Sequence, residues 1–281
     1  IEGESKLLYG LLYTGDIIML NLNTNVIDTI FYYGNFEEGN DFFYSKNENS
    51  LFICRGSLIK YNLSTNEIID LLYSNKNYRT ENVTYIDSSL LYFRAGKLFS
   101  YDLKYKLNKI ISNATISTSE YTIDNLNNIY WHEWQTDSIY FFNLNDKKKK
   151  GLTKFDYTCS QIEWLNDNSL LLLNSNFGLF RYFINQDSLS LLFEPGATTC
   201  FAIYDEKDII ITLNSSDHLN AYNINGESLY NLPFINYSQK FEHADYMEVY
   251  NNDLFIATPT IVYGSTNTVY PGKLEMLDLL T

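Results

Sequence analysis

The stretch Gly96-Lys97-Leu98-Phe99-Ser100-Tyr101-Asp102-Leu103 decides the fold of this chain. A turn glycine opens it, apolar and polar side chains then alternate as on a half-buried strand, and an Asp and a Leu close it. The pattern returns along the whole sequence. Positions equivalent to Gly96 are Gly15, Gly56, Asp137, Phe177, Asp217 and Gly272, so successive anchors lie 41, 40, 41, 40, 40 and 55 residues apart. The segments after them are alike: 17–22 (IIMLNL), 58–63 (LIKYNL), 98–103 (LFSYDL), 139–144 (IYFFNL), 179–184 (LFRYFI), 219–224 (LNAYNI) and 274–279 (LEMLDL).

Each unit carries a short apolar run before its anchor, at 11–13, 51–53, 90–93, 129–131, 170–173, 209–213 and 254–257. Runs of this length between turn residues suit strands buried on both faces. A further strand is expected after the repeat segment (68–73, 107–111, 189–193, 229–232), and another before the apolar run (82–86, 121–123, 161–165, 201–204). The joins are rich in Asn, Asp and Ser, as at 125–128 and 166–168. Four antiparallel strands per unit of about 40 residues make one blade of a β-propeller. A lone blade would leave two apolar faces, and stacking in a ring buries them. A solenoid and a β-sandwich are the all-β alternatives. The expected architecture is therefore a single all-β domain, 1–281, a seven-bladed propeller of four-stranded antiparallel blades. The blades run approximately 1–34, 35–75, 76–114, 115–155, 156–195, 196–235 and 236–281. Unit one lacks an innermost strand and unit seven stops before an outer one, so the end blades are expected to be incomplete.

The bulk composition agrees with strands. Apolar residues make up 45% of the 281, and the aromatics are led by 25 Tyr and 18 Phe. A formal charge of −14 repels phosphate, which argues against nucleic acid or an anionic membrane surface as partner. The one basic run, Lys147-Lys148-Lys149-Lys150, reads as a solvated hairpin turn. No apolar run reaches the roughly 20 residues of a membrane helix, so direct insertion is not expected. The chain starts at Ile1 rather than Met, which suggests a processed or excised piece whose upstream signal would be out of view. Five Asn-X-Ser/Thr sequons, at Asn62, Asn82, Asn113, Asn214 and Asn236, permit glycosylation. A secreted or cell-surface setting is favoured over a cytoplasmic one, without fixing the compartment.

The repeat is similar to seven-bladed propellers of the WD40, YVTN and NHL kind. Unit four, Ile129-Tyr130-Trp131-His132-Glu133-Trp134 with Ile139 and Leu144 following, resembles the YWTD repeat of lipoprotein-receptor propellers. His132 and Glu133 stand where that repeat has Thr-Asp. The Gly-His and Trp-Asp marks of WD40 blades are missing, as are sialidase Asp boxes and Kelch double glycines. The resemblance implies a fold and no function.

Chemistry is sparse. Three histidines, His132, His218 and His243, are spread over the chain; surface positions are expected and no metal site. There is no G-x-S-x-G elbow and no phosphate-binding glycine loop, and no cofactor is implied. Candidate channel carboxylates are Glu81, Asp124, Glu163, Asp205 and Glu248. Asp124 and Asp205 read as turn residues, and Glu163, between Ile162 and Trp164, is the one to watch. Cys159 and Cys200 occupy matching positions in adjacent units, which leaves open a disulfide or two buried thiols; Cys54 reads as packing.

The breaks in the repeat are the better guide, because binding residues sit on loops over a rigid scaffold. The loops between second and third strands bring Arg55, Arg94 and the group His132, Glu133 and Trp134. The blade connections bring Tyr78 and Arg79, and the long unit-seven loop, 258–271, brings Tyr263 and Tyr270. Aromatics and arginines on one face are what protein interfaces use as anchors. The expected function is non-catalytic: holding a protein partner on the loop-rich face. Carbohydrate binding, with Trp134, Tyr263 and Tyr270 as stacking platforms, is the alternative. A propeller glycosidase is the third reading.

Overall fold

The computed structural model describes residues 7–11, 17–21, 23–24, 26–31, 41–55, 57–72, 80–86, 89–94, 97–112, 121–133, 136–144, 146, 148–174, 176–193, 198–214, 216–230, 232, 235, 241, 246–250, 252–258, 261–263, 268–270 and 273–280. Among the described residues, structure is strand and turn apart from a single 3-10 turn at Asp205–Lys207. Two compact units divide the chain, Ile1–Ser119 and Glu120–Thr281.

Three sheets belong to the first unit. Blade 1 is Leu7–Leu11, Ile17–Asn21 and Val26–Phe31. Blade 2 is Asp41–Ser45, Ser50–Arg55, Ser57–Asn62 and Ile68–Leu72. Blade 3 is Thr80–Ile86, Ser89–Arg94, Lys97–Asp102 and Leu107–Ser112. Four sheets follow in the second unit. Blade 4 is Tyr121–Ile123, Asn128–Glu133, Ser138–Asn143 and Lys148–Lys154. Blade 5 is Gln161–Leu165, Ser169–Asn174, Gly178–Phe183 and Ser188–Phe193. Blade 6 is Thr198–Tyr204, Ile209–Asn214 and Leu219–Asn223. Blade 7 is Tyr246–Tyr250, Asp253–Thr258 and Lys273–Asp278. Every blade is an antiparallel meander in chain order, the blade arrangement of a β-propeller. The opening stretch is the third strand of blade 3, hydrogen-bonded to Ser89–Arg94 on one side and Leu107–Ser112 on the other. By the same register, blade 1 shows second to fourth strands and blade 7 first to third, so the end blades are incomplete as expected.

The repeat is visible because each of its positions has a job. Its Asx residue turns the chain into the fourth strand. Asn62 Oδ1 accepts the backbone N–H groups of Ser64 and Thr65 at 2.9 and 3.0 Å, and Asp102 Oδ1 those of Lys104 and Tyr105 at 2.9 Å. Asn21, Asn143, Asn223 and Asp278 make equivalent turns. Such side chains supply the turn's hydrogen bond themselves, which explains their place in the pattern. The anchor explains itself as well. Asp137 and Asp217 sit at φ +47° and +64°, a region where glycine or Asx is favoured, and in blade 5 the left-handed residue is Gly178 (φ +130°) beside the anchor Phe177.

Burial is graded across a blade. Second strands are buried at every position in Asn128–Glu133 and Ser169–Asn174, third strands such as Lys97–Asp102 are partly buried, and fourth strands such as Ser188–Phe193 are largely exposed. Apolar layers lie between neighbouring blades. Ile17, Leu51 and Ile59 pack between blades 1 and 2, and Phe52, Leu58 and Tyr92 between 2 and 3. Phe155, Ile162 and Leu172 fill the layer of blades 4 and 5, Leu171, Phe201 and Ile210 that of 5 and 6, and Ile211, Phe241 and Ile256 that of 6 and 7.

Three local expectations are corrected. Lys148, Lys149 and Lys150 are not in the hairpin turn; they open the fourth strand of blade 4. An outer edge strand needs no apolar face there, and lysine discourages pairing with another chain. The strand expected at 229–232 is reduced to a single bridge between Tyr222 and Ser228, with Leu229 N–H donating to Ala221 O at 2.8 Å. Leu229 and Leu232 turn instead into the core of blades 6 and 7, and Pro233 cannot extend a ladder. Cys159 and Cys200, for which a disulfide was one of two readings, are buried thiols with no bond between them. They lie in different layers, Cys159 between blades 4 and 5 and Cys200 between 6 and 7.

Candidate functional site

Residues His132 and Glu133 were expected in a loop, as one group with Trp134. Both instead end the second strand of blade 4, where they are 1% and 6% exposed. Successive strand residues point to opposite faces, so the two cannot converge on one ligand atom. His132 lies edge-on to Phe155, ring centroids 5.8 Å apart at 88°. Burial holds its pKa below the ordinary imidazole value, with weaker opposition from a hydrogen bond with the Phe155 backbone and from Asp137 and Glu133. Glu133 takes part in a closed cluster on the other face. Its Oε2 is 3.3 Å from Lys149 Nζ, and Thr136 Oγ1 donates to it at 3.3 Å. Lys149 Nζ in turn lies 3.8 Å from the Tyr140 ring centre and 5.5 Å from that of Trp131. An ion pair capped by two rings is a stabilising arrangement that leaves little of either charge for a ligand.

The remaining expected site residues are scattered. Arg94 ends the second strand of blade 3 opposite Lys97 and is half-buried; its charge opposes the rise that burial imposes on the Tyr92 phenol. Arg55 pairs through its backbone with Ser57, and its side chain lies outside the described residues. Tyr78, Arg79, Trp134 and His243 also lie outside them. His218 is half-buried in the turn after Ile209–Asn214, its N–H donating to Asn214 Oδ1 at 3.1 Å. Among the described residues no group of three or more His, Cys, Asp or Glu could hold a metal ion.

Three of the five candidate carboxylates, Asp124, Glu163 and Glu248, have separate hydrogen-bond partners. Buried Asp124 accepts the backbone N–H groups of Leu126 (2.9 Å) and Asn128 (2.8 Å), Asn128 Nδ2 (2.7 Å) and the Tyr130 hydroxyl (2.9 Å). It is the turn residue that its position suggested. Asp205 belongs to the 3-10 turn, its pKa raised by burial and by Asp208. Glu248 is exposed and accepts from the Tyr246 hydroxyl at 3.0 Å. The Glu81 side chain lies outside the described residues. Glu163 belongs to a polar seam between first strands. Thr122 Oγ1 of blade 4 lies 3.5 Å from Glu163 Oε2 and accepts Trp164 N–H at 3.1 Å. Gln161 continues the seam into blade 6, its amide donating to Phe201 O at 2.9 Å and accepting Phe201 N–H at 3.0 Å.

The long loop of unit seven is an inserted β-hairpin. Ile261–Tyr263 pairs with Thr268–Tyr270, placing Ile261 opposite Tyr270. Tyr263 and Tyr270 end its two strands; their side chains lie outside the described residues. The insertion leaves the blade between Thr258 and Lys273, which face each other in the ladder. Residues 258–272 contain no Asp, Glu, Lys, Arg or His, in a chain that carries 54 residues of the first four types, 20 basic and 34 acidic.

One further feature was not visible in the sequence. A cleft of about 960 Å³ opens between blades 1 and 2. It forms at the end of the blade that carries the Asn49 and Asn66 turns, the end opposite the Arg55–Ser57 turn. No local motif marks it, because its residues come from several strands of two repeats.

No family model matches this chain, and no curated protein matches it. Solved structures do. A chain of the mitotic checkpoint complex is similar over 98% of this chain and 87% of its own length, with a TM-score of 0.70 and 10% identity. The computationally designed Ika8 protein is similar over 91% of this chain and 78% of its own, with a TM-score of 0.64 and 10% identity. A chain of the nidogen/laminin complex is similar over 79% of this chain and 92% of its own, with a TM-score of 0.54 and 11% identity. At such identities the likeness is one of fold.

Proposed function

We propose that this chain is a non-catalytic binding propeller that holds a protein partner on its second-to-third-strand loop face. The observation that carries the reading is the hairpin of blade 7. It interrupts an otherwise regular repeat, it keeps strand pairing of its own, and it is uncharged in a chain of −14. Interface cores are depleted in charge and enriched in aromatic residues, and Tyr263 and Tyr270 are the anchors proposed here. Two of the similar folds were crystallised in protein complexes, which supports the same reading. Asp124, Glu163 and Glu248, engaged separately with backbone, Tyr and Thr groups, favour binding over glycoside hydrolysis, which needs a facing pair.

The hairpin can be removed cleanly. Because Thr258 and Lys273 are direct ladder partners, residues 259–272 can be replaced by Asn-Gly, a two-residue turn that joins such strands. Affinity capture followed by quantitative mass spectrometry should find a protein retained by the parent chain and lost by the trimmed one, with the thermal midpoint unchanged. Equal capture by both chains would overturn the proposal.

A further inference from the structure

We infer that the cleft between blades 1 and 2 is a carbohydrate-binding site. It lies wholly within the first unit, and its volume, about 960 Å³, lies in the range of small-molecule sites. None of its described lining residues belongs to the blade 7 hairpin, so it is tested separately from the proposed protein partner.

The floor is aromatic. Tyr9 of blade 1 and Tyr44 of blade 2 line the cleft with ring centroids 5.2 Å apart and planes tilted by 33°. Tyr61 lines it as well. A pyranose presents C–H groups on its faces and hydroxyls on its edge, so it matches aromatic rings flanked by hydrogen-bonding groups. Burial raises the phenol pKa of Tyr9, aided by Tyr44, and that of Tyr61.

The rim supplies the polar half. Asn49 and Asn66 sit on the two turns of blade 2 at this end, both left-handed, with φ +43° and +57°. Those turns are tied together by Leu63 N–H donating to Asn49 O at 3.0 Å. Asn66 Oδ1 accepts the Tyr61 hydroxyl at 2.8 Å, so the other hydrogen-bonding group of its amide is the Nδ2 donor. Asn49 Nδ2 donates to Ser64 Oγ at 2.6 Å, so the other group of its amide is the Oδ1 acceptor. One oriented donor and one oriented acceptor on fixed turns suit neighbouring sugar hydroxyls, and their rigidity lowers the entropic cost of binding.

Charge narrows the ligand further. Seven of the eleven described lining residues carry a hydroxyl, amide or ammonium group, and none of these eleven carries a carboxylate. Lys46 is the charged member of the lining. A peptide groove would be expected to show more aliphatic wall. The lining selects sugars bearing hydroxyls and tolerates an acidic one.

The test is a glycan array holding neutral, uronate, sialylated and sulfated glycans, read with the parent chain and with Tyr44→Ala, Lys46→Ala and Asn66→Gly. The hits are then titrated by saturation-transfer NMR. Glycine accepts the left-handed backbone of Asn66, and Lys46 is exposed, so two of the three variants keep the fold should Tyr44→Ala lose it. A glycan class is expected on the parent chain, weakened about tenfold by Tyr44→Ala or Asn66→Gly. Lys46→Ala should weaken acidic glycans and spare neutral ones. The inference is overturned by an array without hits, by hits that the folded variants bind unchanged, or by a displayed peptide library that binds at these residues where no glycan does.

Discussion

Asp124 shows how much rests on one side chain. Its carboxylate gathers two backbone N–H groups, an amide and a phenol, and all of Asp124, Asn128 and Tyr130 are buried. Asp124→Ala would strand these donors away from water, and a cost of about 3 kcal/mol is expected from urea unfolding. A loss below about 1 kcal/mol would show that water reaches the site. His132 makes a different prediction, in pH. Its folded pKa is depressed by burial, so the unfolded chain binds the proton more readily. The stabilisation is therefore complete above the unfolded value of about 6.5 and is lost as pH falls through the lower folded value. His132→Phe keeps an aromatic edge on Phe155 and removes the proton site. Unfolding free energies measured from pH 7.5 down to 5 should fall with a slope the variant lacks; parallel curves would refute the assignment. The two roles were not equally legible in the sequence. Asp124 was recognisable as a turn residue from its Asn-rich surroundings, but His132 next to Trp134 read as loop, because where the strand ends depends on pairing with Ser138–Asn143, which the spacing alone does not fix.

Elements repeat where turn chemistry repeats, and the repeat breaks where packing competes with it. The Asx residue and the left-handed anchor were readable because they act within a few residues of themselves. The fourth strand of blade 6 was misread because its leucines are claimed by the core, a contact remote in sequence. Gly226 marks the same place. It closes the turn after Leu219–Asn223 at φ +86°, and a Cβ built on it would lie 2.6 Å from Leu192 O of blade 5. Alanine there meets both a disfavoured backbone and a carbonyl belonging to a packed strand, which cannot swing aside as a flexible side-chain tip could. Gly226→Ala should therefore cost about 2 kcal/mol. Asn225→Ala, one residue earlier and exposed, serves as the control, with a change within about 0.5 kcal/mol. Equal effects in thermal unfolding of the two variants would mean that the close approach is relaxed in solution.

For the whole chain, the decisive quantity in the sequence is the period, and the next is the charge. Seven anchors at nearly constant spacing made the propeller legible before any strand was placed, because each repeat contributes one sheet whose faces only its neighbours can bury. The cleft between blades 1 and 2 was invisible for the converse reason: Tyr9, Tyr44 and Tyr61 converge across two repeats, and no spacing records that. Charge acts at this scale too. At −14, acidic groups outnumber basic ones by 34 to 20, so 14 carboxylates are in excess of the cations that could neutralise them. Ion pairs such as Lys149–Glu133, whose acid is buried, are weakly screened, whereas repulsion between exposed carboxylates is screened over a Debye length of about 10 Å at 0.1 M salt. Salt should therefore stabilise this protein rather than weaken it. Between 10 and 200 mM sodium chloride the thermal midpoint is expected to rise by roughly 2–4 °C, the shift that about 1 kcal/mol produces in a chain of 150–250 residues or somewhat more. A midpoint that falls with salt would mean that attractive surface pairs, and not the net charge, dominate the electrostatics.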